Sequence, residues 1–180
     1  MENLRREQRI KELRRQDERK KKLSTLKTDL ERIFEKEIKD QDIILIDDTN
    51  EFNIKLSDSN WGFDFLTVNI PKTKSDKISR LLSTIKSDLQ TINYFSTSHF
   101  REYGLFLIDT SIVVTKFEDI IDLDGDMFMV YDKEIKNGLW IDLYEETFVV
   151  DDTVDRIPIY ELRVFGKDWI SKVVPEYIKE

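Results

Sequence analysis

An α+β fold is what this chain predicts: a mainly antiparallel sheet with one or two packed helices, preceded by a charged N-terminal helical arm. Three observations lead there. Short apolar segments, many alternating with polar residues, recur between residues 43 and 165, and most are separated by only a few turn-forming residues. Connections that short join antiparallel strands, because a parallel crossover needs a dozen residues or more. Two segments, 23–38 and 78–89, instead repeat their apolar residues at helical spacing. The first 22 residues are almost wholly charged or polar and have no stripe to bury. The expected division is an arm over residues 1–39 and one α+β domain over 40–180.

The elements follow in chain order. In residues 1–22 only Leu4, Ile10 and Leu13 are apolar after Met1, while Glu2 with Arg5 and Arg6, and Glu7 with Lys11, stand at helical spacing. Such pairs add about 0.2–0.5 kcal/mol each, so a solvated helix is expected, frayed or dependent on a partner. Leu23, Leu26, Leu30 and Ile33, widened by Phe34 and Ile38, make an amphipathic helix. Its stripe packs on the chain's own domain or forms a short dimer seam. The run Ile43–Ile46, the turn formers Asp47–Asn50 and the alternation of Phe52, Ile54 and Leu56 predict a hairpin. Trp61, Phe63 and Phe65 alternate strictly, and Val68 and Ile70 extend that strand until Pro71 ends it. Ser75 or Asp76 opens a helix with the stripe Ile78, Leu81, Leu82, Ile85 and Leu89. Residues 91–101 read as a loop. Strands are expected at 103–109, 111–115, 127–132, 138–144, 146–150 and 157–165, with a helical turn at 116–121. Gly166 breaks the last strand and Asp168 opens a short terminal helix.

Composition narrows the classes. Eleven Phe, six Tyr and three Trp supply enough buriable surface for a folded core despite a hydrophobic content of 39%. With no cysteine, the chain holds no disulfide, no thiolate nucleophile and no thiolate metal site. The N-terminal sequence lacks the apolar stretch of a secretory signal, and no run approaches the ~18 apolar residues that cross a bilayer, so a cytoplasmic protein is expected. Alanine is absent while Ile, Lys, Asp and Phe abound; this codon bias suggests an AT-rich bacterial genome or a mobile element such as a phage.

Charge is divided by position. Residues 1–39 carry fourteen Lys and Arg against nine Asp and Glu, a net of +5, whereas residues 101–162 carry five against sixteen, a net of −11. Catalytic patterns are thin beside this. The single histidine, His99, follows Ser98 outside any nucleophile turn. Asp122, Asp124 and Asp126 resemble a cation loop, but Gly125 comes too early and no Glu stands at the twelfth position. Asp126, Glu134 and Lys136 fit a loose pattern of Mg²⁺-dependent nucleases, yet they fall where a turn is expected. Five glycines form no phosphate-binding loop. No metal or cofactor is expected, and no enzymatic activity; a Mg²⁺-dependent nuclease at Asp126, Glu134 and Lys136 stands as an alternative.

The acidic body carries the leading expectation. Asp119, Asp122, Asp124, Asp126, Asp132, Glu134, Asp142, Glu145, Glu146, Asp151, Asp152 and Asp155 lie on strands and their turns. On one face they would form a negative plate for a basic protein, with Trp140 or Tyr144 as an aromatic anchor. That describes an inhibitor of a nucleic-acid-handling enzyme or a toxin, in the manner of immunity proteins and phage inhibitors. The alternative partner is nucleic acid, held through Arg5, Arg6, Arg9, Arg14, Arg15, Arg19, Lys20, Lys21 and Lys22, although five acids interleave them. The chain is expected to be a monomer, or a dimer through the 23–38 helix.

Overall fold

The computed structural model describes residues 2–59, 65–124, 127–150 and 153–179. They form an α+β fold whose seven strands make one sheet, antiparallel at every pairing. In chain order the strands are β1 (Ile43–Ile44), β2 (Phe65–Pro71), β3 (Ile92–Thr97), β4 (Leu105–Asp109), β5 (Met127–Tyr131), β6 (Gly138–Val150) and β7 (Thr153–Phe165). In space their order is β1-β4-β3-β5-β6-β7-β2. Trp61 and Phe63, which the alternation assigns to the start of β2, lie outside the described residues.

One face of this sheet carries nearly all the described helices. Alternation along each strand sends Phe95, Phe106, Phe128, Val130, Ile141, Tyr160, Leu162 and Val164 to that side. There they meet α1 (Glu2–Phe34), α3 (Asp76–Ser83), α4 (Lys86–Leu89), α6 (Thr110–Thr115), α7 (Phe117–Asp124) and α8 (Lys167–Ile178). The amphipathic stripe of α1 is used up in this core. Leu26, Leu30 and Phe34 are buried, Ile38 follows them, and the Phe34 ring stands edge-on to Phe95 with 6.1 Å between centroids. Leu23 and Ile33 of the same stripe pack against this core while only partly buried. Beyond this root the helix runs out into solvent: every side chain from Glu7 to Glu18 is exposed. Lys22 marks the point of departure, 3.7 Å from Glu102 on α5 (Phe100–Tyr103).

The opposite face carries α2 (Asn50–Asp58), over the β4-β3-β5 side. Phe52 sits at its centre with Tyr94 and Tyr131 at ring distances of 5.1 and 5.4 Å. This helix replaces the hairpin strand that the sequence predicts. Phe52, Ile54 and Leu56 satisfy a strand's period of two, but Phe52 and Leu56 also stand one helical turn apart. The helix keeps those two inward and turns Ile54 out, at 55% exposure.

Two further segments exchange their expected types. Residues 91–101, which read as a loop, contain β3, a central strand. Its polar Asn93 is buried because the amide donates to Asp88 O and to Thr110 Oγ1, 3.2 and 2.9 Å away. Residues 111–115, which read as a strand from Ile112, Val113 and Val114, form α6. Asp109 caps this helix by accepting from the Ser111 amide at 3.0 Å and from Ser111 Oγ at 2.6 Å. The strands expected at 138–144 and 146–150 are one continuous strand, and the helical turn expected at 116–121 extends into α7.

Candidate protein-interaction surface

The β6–β7 hairpin gives this face its chemistry. Its register is unbroken from Gly138 opposite Phe165 to Val150 opposite Thr153. Among the described residues, β5 pairs with β6 as far as Asp142, and β2 pairs with β7 from Ile159 onward. Residues 143–150 and 153–158 therefore extend past the sheet as a two-stranded ribbon. On it Glu145, Glu146, Thr147, Asp155, Arg156 and Ile157 are exposed.

Alternation then sorts the side chains. Tyr160, Leu162 and Val164 enter the helical core, so Asp155, Ile157, Ile159, Glu161 and Arg163 belong to the other face, with Trp140, Asp142, Tyr144 and Glu146 beside them from β6. No helix among the described residues packs over this part of the sheet. Its register places Asp142 directly opposite Glu161 and Trp140 directly opposite Arg163. Arg163 Nε lies 2.6 Å from Glu161 Oε1, and its guanidinium carbon stands 4.7 Å from the centroid of the Trp140 ring. A single guanidinium thus serves both an ion pair and a cation–π contact. The Trp140 indole N–H is buried with no acceptor among the described residues.

Negative charge gathers around Tyr144. Its hydroxyl is pushed above the usual tyrosine range by desolvation first, then by Glu146, Glu161 and Asp142. Among the described residues, the carboxylates of Asp142, Glu146, Asp155 and Glu161 share the face with the cation of Arg163. Asp142 and Glu161 stand directly across the strand pair, and Glu161 is already paired with Arg163. Glu145 points the other way and pairs with Arg156 at 3.5 Å.

The acidic residues expected to form one plate are divided instead. Asp119 and Asp122 lie on α7, beneath the sheet, because Phe117, Ile120 and Ile121 draw that helix into the core; Asp122 pairs with Lys72 at 3.3 Å. Asp124 ends α7. Asp126, Asp151 and Asp152 lie outside the described residues. Asp132 holds a turn together. Its carboxylate accepts from the amides of Lys136 and Asn137, both at 3.0 Å, and from Asn137 Nδ2 at 2.8 Å, which closes the β5–β6 connection. Glu134 is exposed beside a polar cleft of about 550 Å³ that Lys55, Lys136 and Lys167 also line. Of the expected contact residues, the hairpin brings Trp140, Asp142, Tyr144 and Glu146 onto one face and Glu145 onto its reverse.

Glu161 and Arg163 complete the cluster, and residue type alone does not single them out. Strands of equal length on either side of Asp151 and Asp152 are the signal that finds them, since that register pairs residue 142 with 161 and 140 with 163.

The catalytic patterns gain little. Glu134 and Lys136 sit in the β5–β6 connection and not on a core strand. His99 precedes the short helix α5, its ring 5.6 Å from that of Tyr103. Among the described residues no three His, Asp or Glu side chains are placed to hold a metal ion. No described helix is long and apolar enough to cross a membrane. The basic arm residues from Arg5 to Lys22 all lie on α1, with Arg9, Arg14, Arg15, Lys20 and Lys21 exposed and Arg19 half-buried. No protein-family model, curated protein or solved structure matches this chain, so its functional reading rests on geometry and charge.

Proposed function

We propose that this chain is a non-enzymatic binding protein whose β6–β7 face docks a basic protein surface and blocks it. The observation that carries this reading is the in-register pairing of Asp142 with Glu161, with Tyr144 and Glu146 alongside, on a face free of described helices. A lysine or arginine approaching there meets the combined negative charge of Asp142, Glu146 and Glu161, the last already shared with Arg163, and Trp140 and Tyr144 provide flat apolar area around it. The ribbon beyond the sheet adds Glu146 and Asp155 to the rim, where charge raises the association rate more than the affinity. Basic surfaces of this kind belong to nucleic-acid-handling enzymes and to many toxins. An inhibitor of the immunity-protein or phage type would act by occupying them.

A fluorescence-anisotropy titration of a labelled arginine-rich peptide of about 20 residues tests this, with an acidic peptide of equal length as control. The full chain is compared with the triple variant Asp142→Asn, Glu146→Gln, Glu161→Gln. The expected result is salt-sensitive binding of the basic peptide alone, weakened at least tenfold in the variant, equivalent to about 1.4 kcal/mol. Equal affinity for wild type and variant would exclude this face as the binding site.

A further inference from the structure

The chain carries, on itself, a basic segment of the kind this face would accept. Residues 1–22 hold ten Lys and Arg against five Asp and Glu, and because the whole chain is at −8, the remainder stands at −13. Lys22, at the root of the arm, meets Glu102 of the same body, but the outer arm and the carboxylates of the β6–β7 hairpin are held apart within one molecule. α1 is a single uninterrupted helix from Glu2 to Phe34 with no Gly or Pro in it. Its root is fixed in the core on the helical side of the sheet by Leu26, Leu30 and Phe34. The carboxylates of the β6–β7 hairpin lie on the opposite side. To reach them in the same molecule, the arm would have to break its helix and turn around the sheet edge.

We infer that the arm of one copy docks on the β6–β7 face of a second copy, so that self-association and capture of a basic partner compete for the same carboxylates. This rests on the reading of that face as a basic-protein site. A second copy suits the arm better than nucleic acid does, since a remainder at −13 repels a phosphate backbone and five acids interrupt the arm's own positive charge. The contact is heterologous, arm to face, and leaves each molecule with one unused arm or face, so it propagates into open chains unless the geometry closes a ring. It is also weak. The arm from Glu2 to Lys22 spans about 20 residues, roughly 30 Å, and one side of a helix about 10 Å wide offers roughly 300 Å², well under the ~800 Å² per partner of a stable interface.

Sedimentation velocity on the full chain across a concentration and salt series tests this with two charge-neutralised variants. The arm variant is Arg9→Gln, Arg15→Gln, Arg19→Gln, and the face variant is Asp142→Asn, Glu146→Gln, Glu161→Gln. The wild type is expected to associate at low salt and to dissociate as salt rises. Each variant alone is expected to stay monomeric at concentrations where the wild type associates. An equimolar mixture of the two is expected to form a 1:1 complex and nothing larger, because each contributes one intact half of the contact. A wild type that stays monomeric at low salt overturns self-docking. In that case, binding of the labelled arginine-rich peptide leaves the reading of the face standing, and its absence removes both. A face variant that associates as well as the wild type, or an arm that binds labelled duplex DNA or single-stranded RNA while the wild type stays monomeric, also overturns the inference.

Discussion

Gly104 shows how narrowly single residues constrain this fold. It joins α5 to β4 at φ 90°, and a Cβ there would run into the Ile44 carbonyl oxygen and lie 2.9 Å from Ile46 N. Both the left-handed backbone and the contact with β1 therefore require glycine. Gly104→Ala is expected to cost about 2 kcal/mol or more, read as a lower midpoint in urea denaturation. Two buried tyrosines make a second residue-scale prediction. Desolvation raises the hydroxyls of Tyr131 and Tyr160 to about 12. The unfolded chain then loses these protons near pH 10 while the folded chain keeps them, so stability is full below pH 10 and falls as pH rises toward 12. Phenolate absorbance at 295 nm is expected to titrate in two groups, with the later group merging into the unfolding transition. A single titration near pH 10 in a chain that remains folded would contradict this. At this scale Asp142, Glu146, Trp140 and Tyr144 are legible from residue type and alternation. Asp132 is not, because its identity gives no hint that its carboxylate is occupied by the amides of its own turn.

At the scale of elements, α1 is two structures in one helix. Its root belongs to the core and its outer part to solvent, so equal truncations should differ sharply. Leu30→Ala, at a fully buried position, is expected to cost about 2–5 kcal/mol. Leu13→Ala, at 53% exposure, is expected to change stability by no more than about 0.5 kcal/mol. Chemical denaturation of both variants measures the contrast, and similar losses would contradict the division. The apolar stripe makes the root legible in advance, and other long patterns read in part: β5 and the described part of β2 fall where periodicity places them, β7 begins four residues before its expected start, and the single helix expected over 78–89 is two, α3 and α4. The short segments are not legible. In α2 the pair Phe52 and Leu56 fits either period, in α6 β-branched residues follow an Asp cap, and in β3 the polar Asn93 is satisfied by partners distant in sequence. In each case tertiary contacts decide between two local conformations of similar propensity.

At the scale of the whole molecule, the charge split survives folding but changes shape. A positive helix leaves the body on the helical side, while Asp142, Glu146, Asp155 and Glu161 gather across the sheet on the β6–β7 hairpin. The antiparallel α+β architecture is legible because short connections allow little else. Among the described residues the acids are not on one plate, since helix α7 and the β6–β7 hairpin carry theirs to opposite sides, and a strand's two faces part neighbours as close as Glu145 and Glu146. The central claim is that a basic segment binds the hairpin face. The most direct measurement is the change in ¹H–¹⁵N NMR shifts of the full chain on adding the arginine-rich peptide at moderate salt. Shifts are expected to concentrate at residues 140–147 and 155–163, with the amides of α7 unmoved. Shifts centred on Glu118, Asp119 and Asp122 of α7, or spread evenly over every acidic residue, would contradict the claim.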